Sequence, residues 1–412
     1  MIDERTMPNG LRIVGERIPH FRSVSVGLWI GAGSQYEERD PPGISHFIEH
    51  MLFKGTPRYS AKALAEVIDA VGGQMNAFTS KECTCFYAKV VDEHLRLALD
   101  VLSDMVLHPL LKKSDIEREK GVVLEEIDML EDSPEDVANE LLMLAHYGDQ
   151  PLSREIVGTK ESVSSITRES IAAYMDRMYR PENAVLSICG NYDPDALYDM
   201  AEEMLGEWAG GRFSPAPYRS KDAEPTVLRR EKAIEQVHLC LGYPALDIRS
   251  KDIYALSLFN SAFGGNSSSR LFQSIREEKG LAYSVYSSYA AMTDTGIFSV
   301  YAAVNRENVE ETLALIEGEM QKLLRDGFTE KEFSMGREQM KGALILALES
   351  SSSRMMGQGR RKLLLGRVQS ETEMIDRINA MTYDDVMRVA KETLTGRRSA
   401  AVVGKDIGGI AL

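Results

Sequence analysis

The chain has 412 residues, 43% apolar and 27% charged, which is ordinary for a globular protein with a sizeable core and long enough for two or more domains. Its 48 basic and 63 acidic side chains sum to −15, which disfavours nucleic-acid phosphates as partners and suits cationic ligands such as basic peptides. No apolar run approaches the roughly 18 residues of a bilayer span, so no membrane partner is expected.

In chain order, the opening MIDERTMPNGLRIV lacks the flanks of a secretory or transit segment, so a cytoplasmic location is the default expectation. The fold is expected to begin near residue 8, where Pro8-Asn9-Gly10 turns into a strand LRIVGE. RSVSVGLWIGA reads as the next strand. GISHFIEHMLFKGT, residues 43 to 56, follows as a helix. At about 100° per residue, His46, Glu49, His50 and Phe53 share one side, and Phe47, Ile48, Met51 and Leu52 cover the other. Two imidazoles four positions apart suit one Zn²⁺, with the glutamate between them aimed at its open position. The order H-x-x-E-H reverses the commoner H-E-x-x-H and forms its own class of zinc motif.

GGQMNAFTS (72 to 80) and TCFYAKVV then read as a turn and strands. In SDIEREKGVVLEEIDML a helical apolar stripe runs through Ile116, Val123, Ile127 and Leu130. Glu119 and Glu126 lie seven residues apart at the edge of that stripe, and Glu125 points away from it. A carboxylate facing a core is costly unless paired or bound to metal, which favours Glu126 as third ligand and Glu119 as a supporting partner. A solvated helix margin holding both carboxylates is the other reading of this segment.

After the strand AVLSICGN, a stretch rich in glycine and proline (206 to 227) reads as a linker. The expected division is an N-terminal domain over 1–208, a linker over 209–226 and a C-terminal domain over 227–412. The halves look related: FYAKVVDEHLRLALDVL from Phe86 overlays VYAAVNRENVEETLALI from Val300, each a strand, a polar turn and an amphipathic helix. The helix beginning near Ser114 has a counterpart near Lys331. Strands and helices arriving in runs predict an α+β fold with mostly antiparallel sheets. Gly264-Gly265-Asn266 lacks the GK[ST] of a phosphate loop and reads as a helix cap and loop. Cys83, Cys85, Cys189 and Cys240 show no CxxC spacing and are read as reduced thiols.

HFIEHMLFKGT, with Glu126 lying 76 residues beyond His50, resembles the pitrilysin-type (M16, inverzincin) zinc metallopeptidases. The nearest likeness is to the short-chain branch that includes mitochondrial processing peptidase β subunits and their bacterial homologues. It spans essentially the whole chain. The resemblance implies two homologous αβ domains of the LuxS/MPP-like kind, the first binding one zinc and the second inactive. It implies His46, His50 and Glu126 as metal ligands, Glu49 as the catalytic base, and Glu119 as a carboxylate that supports catalysis. It also implies a substrate-binding edge at Asn76, Ala77, Phe78 and Thr79, where an extended peptide adds as a strand. Arg276 and Tyr283 match a pair that reaches the substrate carbonyl. Laying Phe263-Gly264-Gly265 over Phe53-Lys54-Gly55 sets Leu256, Phe259 and Asn260 opposite His46, Glu49 and His50, with Gly336 and Ala343 opposite Glu119 and Glu126.

The resulting expectation is a zinc endopeptidase acting on unfolded or extended peptides, with basic ones favoured, and working as a homodimer in which one active half faces a partner's inert half. The alternative is a metal-free scaffold or assembly subunit of the same fold, which metal content distinguishes.

Overall fold

The computed structural model describes residues 2–211, 218–221 and 223–412. The expected linker therefore lies in part, at 212–217 and 222, outside the described residues.

The first sheet holds β1 (Ile2–Thr6), β2 (Arg12–Arg17), β3 (Ser23–Ile30), β4 (Gln74–Thr79), β5 (Thr84–Val91) and β6 (Ala184–Gly190), in the order β1-β2-β6-β3-β5-β4. The second holds β7 (Val227–Glu231), β8 (Gln236–Pro244), β9 (Ala282–Ala291), β10 (Gly296–Asn305) and β11 (Ser399–Gly404), in the order β7-β11-β8-β10-β9. Each sheet is antiparallel except for one parallel pair, β2 with β6 and β7 with β11. These pairs occupy equivalent places, so the two sheets repeat one topology, and β1 is an addition to the first. The overlaid segments also fold alike: β5 leads through a short 3₁₀ turn into the helix Leu95–Leu107, and β10 through another into the helix Val309–Asp326.

The expected start near residue 8 is corrected by β1, which precedes the Met7–Gly10 turn and pairs with β2 from Ile2↔Glu16 to Thr6↔Arg12. Its polar, charged sequence suits an edge strand. There Arg5 lies over the ring of Tyr198 at 3.6 Å, and charge gives no apolar signal to read.

The chain forms two compact units, each assembled from three stretches: 1–128, 155–218 and 345–370 in the first, and 129–154, 219–344 and 371–412 in the second. The helix Ser351–Leu365, from late in the chain, thus lies on the first sheet. Ser187 Oγ donates to the Met355 carbonyl at 2.8 Å, Ser25 bonds Ser351 at 2.9 Å, and Arg354 pairs with Glu16 at 2.8 Å. Contact is close because Gly27 and Gly359 carry no side chain. A Cβ on Gly359 would sit 2.1 Å from Trp29 Nε1. In the second unit the helix Pro134–Tyr147, from the early half, lies on the second sheet: Tyr286 donates to Glu135 at 2.7 Å and His146 Nδ1 bonds Ser399 at 2.9 Å. The opposite face of that sheet meets an apolar core built on Leu239, Leu241, Phe259, Phe263, Phe298 and Val300.

No described helix is long and apolar enough to cross a membrane. All four cysteines are buried and free.

Candidate metal centre

The helix Ile44–Leu52 begins at Gly43, whose φ of +91° and close approach to the Val157 carbonyl both exclude a side chain. Two of its first backbone N–H groups, on Gly43 and Ser45, donate to the Glu37 carboxylate at 2.7 and 2.8 Å, a side-chain cap supplied from upstream. Ile44, Phe47, Ile48, Met51 and Leu52 are fully buried behind the helix, while Glu49 and His50 are part-exposed in front. The apolar back anchors the helix and leaves the polar side to face the site.

The helix Lys113–Glu131 buries Ile116, Val123 and Ile127 of the expected stripe and leaves Leu130 part-buried, and Glu119, only 3% exposed, lies inside that stripe. Glu126 sits at the margin. His46 Nε2 lies 3.7 Å from Glu126 Oε1 and His50 Nε2 lies 3.6 Å from Glu126 Oε2. One donor atom from each of the three lies within 4.8 Å of the others.

Zn²⁺ bonds of about 2.0–2.1 Å in a tetrahedron set donors roughly 3.4 Å apart, so these spacings fit one zinc ion. Two imidazole nitrogens and a carboxylate facing one point are also the donor set that zinc takes. Glu119 Oε1 accepts from His50 Nδ1 at 2.9 Å, which sets the tautomer that leaves the Nε2 lone pair toward that point. His46 Nδ1 is buried with no hydrogen-bond partner among the described residues.

Electrostatics agree with a ligand role. Burial, and then the neighbouring His50, push the His46 pKa down to about 4, so it stays the neutral base a metal needs. Burial raises Glu49 above the ordinary carboxylate range, with Glu126 adding to the rise, while Thr79 and His50 oppose it. Burial also pushes Glu119 up, but its bonds to His50 and Lys54 outweigh burial and hold it low.

Among the other expected residues, β4 is an edge strand, paired with β5 alone and packed beside the helix Ile44–Leu52. Asn76 is exposed and its side-chain oxygen accepts from the Ala77 N–H at 2.8 Å; Ala77 is buried. Phe78 stands edge-on to Trp29 at 5.6 Å. Thr79 does more than extend the edge: its hydroxyl donates to Glu49 Oε2 at 2.5 Å. Arg276 and Tyr283 belong to the second unit and meet each other, with the guanidinium 4.8 Å from the Tyr283 ring centroid. Tyr283 is 77% exposed, and Arg276 sits on a single π-helical turn, Phe272–Glu277.

Two contacts escaped the sequence reading. The Thr79 bond to Glu49 joins strand to helix across 30 residues and has no local signal. Lys54, whose Nζ lies 2.6 Å from Glu119 Oε2, had one: it stands four residues after His50, the next place on the same side of the helix.

Comparison with known proteins agrees. Residues 12–160 match Insulinase (Peptidase family M16), and residues 165–340 match the Peptidase M16 inactive domain. An uncharacterized zinc protease of Bacillus subtilis, YmxG, is 42% identical over 408 residues, 98% of each chain. One from Streptomyces coelicolor is 38% identical, covering 97% of this chain and 88% of its own. The fold matches a protease from Helicobacter pylori (TM-score 0.89, 22% identity, 98% and 99% of the two chains). It also matches a Pseudomonas fluorescens structure described as a peptidase M16 inactive domain (TM-score 0.91, 20% identity, all of both chains). With an active-type half, an inactive-type half and a zinc-ready cluster in the first of them, the chain belongs to peptidase family M16 and is a zinc metalloendopeptidase.

Proposed function

We propose that this endopeptidase cleaves peptides presented in extended form, with Glu49 as general base and His46, His50 and Glu126 as the zinc ligands. The observation that carries the reading is the position of Glu49. It lies one turn after His46, its carboxylate oriented by Thr79 of the edge strand that a substrate would extend. Zinc held by the three ligands supplies Lewis acidity, polarising a carbonyl oxygen and acidifying water. Glu49 takes the proton of the attacking water and returns it to the leaving amine. Asn76 and Ala77 offer polar groups to the scissile peptide, Phe78 continues the edge, and Arg276 with Tyr283 stabilises the developing oxyanion. Glu119 supports His50.

The finer assignments belong to the same proposal. Residues 1–208 carry the catalytic half, and 227–412 its inert counterpart. The enzyme falls in the branch that includes processing peptidase β subunits, works in the cytoplasm as a homodimer and favours basic peptides, in keeping with its charge of −15. Glu49→Gln tests the core of it: zinc content stays at one per chain while turnover of a fluorogenic peptide falls by about 10²–10⁴-fold. Near wild-type turnover removes Glu49 from this role.

A further inference from the structure

Glu119 is buried, and each of its oxygens has one partner: Oε1 accepts from His50 Nδ1 at 2.9 Å and Oε2 meets Lys54 Nζ at 2.6 Å. Imidazole is a neutral donor when it serves as a metal ligand, so it compensates the Glu119 charge only in part. A buried carboxylate needs a countercharge. Among the described residues, Lys54 is the one ammonium or guanidinium in contact with Glu49, Glu119 or Glu126. With a divalent ion bound, the three carboxylates exceed its charge by one, and Lys54 supplies the missing positive charge.

The backbone holds Lys54 in place for this. Its N–H donates to the Met51 carbonyl at 3.1 Å, and the next residue, Gly55, turns the chain with a φ of +110°. The Gly55 carbonyl is tied to the Leu110 N–H at 3.0 Å. The lysine is thus presented from a fixed turn rather than from a mobile loop.

Resting on the metal-site reading above, we infer that Lys54 is a positioning residue for zinc: it neutralises Glu119 so that Glu119 keeps His50 oriented and electron-rich toward the ion. Loss of a partner outside the ligand shell weakens metal binding by about 10–100-fold. A purely structural lysine at a helix C-terminus would instead change folding stability and leave zinc affinity alone.

The test is zinc affinity by competition with a chromophoric chelator, on the full chain, for wild type, Lys54→Met, Lys54→Arg, Glu119→Gln and the double variant Lys54→Met/Glu119→Gln. Lys54→Met is expected to bind zinc at least 10-fold more weakly, Lys54→Arg to recover most of the loss, and the double variant to match Glu119→Gln alone. Wild-type affinity in Lys54→Met overturns the inference, and so does a Lys54→Met effect that persists in full without Glu119. If Lys54→Met does not fold, Lys54→Gln takes its place with the same expectations, and wild-type zinc affinity in Lys54→Gln overturns the inference. His50→Ala is the separate control for the site itself, since wild-type zinc binding there sinks the ligand assignment and not only the role of Lys54.

Discussion

The helices Ile44–Leu52 and Ile253–Phe263 follow equivalent strands in two sheets of one topology, and they show what the same scaffold does with and without chemistry. In the first, His46, Glu49 and His50 face the site. In the second, Leu256 and Phe259 are fully buried, Phe259 stacks on Phe298 at 4.7 Å, and Asn260 accepts from the Ser287 hydroxyl at 2.8 Å. The neighbouring helix follows suit: where Glu119 reaches His50, Gly336 lets its helix approach Leu258, whose side chain would lie 3.1 Å from a Cβ at that position. Even the sheet edges differ. The Gly264 carbonyl accepts from Ser287 N–H on the outer side of β9 at 3.0 Å, while among the described residues β4 makes no backbone bond of this kind to the Phe53–Gly55 turn. The lesson is that the fold does not need the polar cluster. The inert half fills the space with an aromatic core, and the active half accepts buried polar groups for the sake of the metal.

Making the first half resemble the second is the strongest way to probe this difference. His46→Leu copies Leu256 and should remove both zinc and activity, a loss greater than the roughly 10²–10⁴-fold attached to the base alone; metal analysis and peptide turnover read it together. A smaller effect comes from Thr79→Val, which deletes the hydroxyl that orients Glu49. Turnover should drop about 10–100-fold with zinc content unchanged, as for one hydrogen bond to a charged group, and Thr79→Ser should restore it. Equal loss in the serine variant would assign the effect to the methyl group instead.

Packing separates the two compact units as well. Gly359→Ala drives a methyl group into the Trp29 ring and should destabilise the protein by about 1–3 kcal/mol, whereas a Cβ at Gly336 would lie 3.1 Å from Leu258 Cγ and Gly336→Ala should cost less. Denaturant midpoints of the two variants make the comparison.

The last test concerns pH and the second compact unit. Burial depresses the His146 pKa from 6.5 to about 4. Between those values the unfolded chain holds a proton that the folded chain lacks. This group therefore leaves stability unaffected above about pH 6.5 and lowers it as pH drops toward 4. His146→Gln should flatten that slope in thermal unfolding measured with zinc bound. An unchanged slope would move the acid sensitivity to other groups.

Much of this was legible in the chain itself. The i, i+3, i+4 spacing of His46, Glu49 and His50 fixes their common face whatever surrounds the helix, and the strands around Trp29, Cys189 and Val402 announce themselves by apolar runs. Glu126 needed more, because a stripe margin in sequence is the same for a ligand and for a solvated acid; only the 3.6 and 3.7 Å approaches to the imidazoles separate them. Contacts that join distant stretches had no signal. Gly27 and Gly359 each look like an unremarkable glycine until the second is found against the ring of Trp29. The amphipathic helices Pro134–Tyr147 and Ser351–Leu365 state that they have a buried face and not which sheet receives it.

That exchange of helices has a consequence for the chain as a covalent object. Each sheet is roofed by a segment encoded in the opposite half of the gene product, so a proteolytic nick between the halves would break the polypeptide without giving two self-sufficient pieces. A fragment ending before the linker would expose the Trp29 surface and lack its cover, and the two fragments should regain structure only when supplied together.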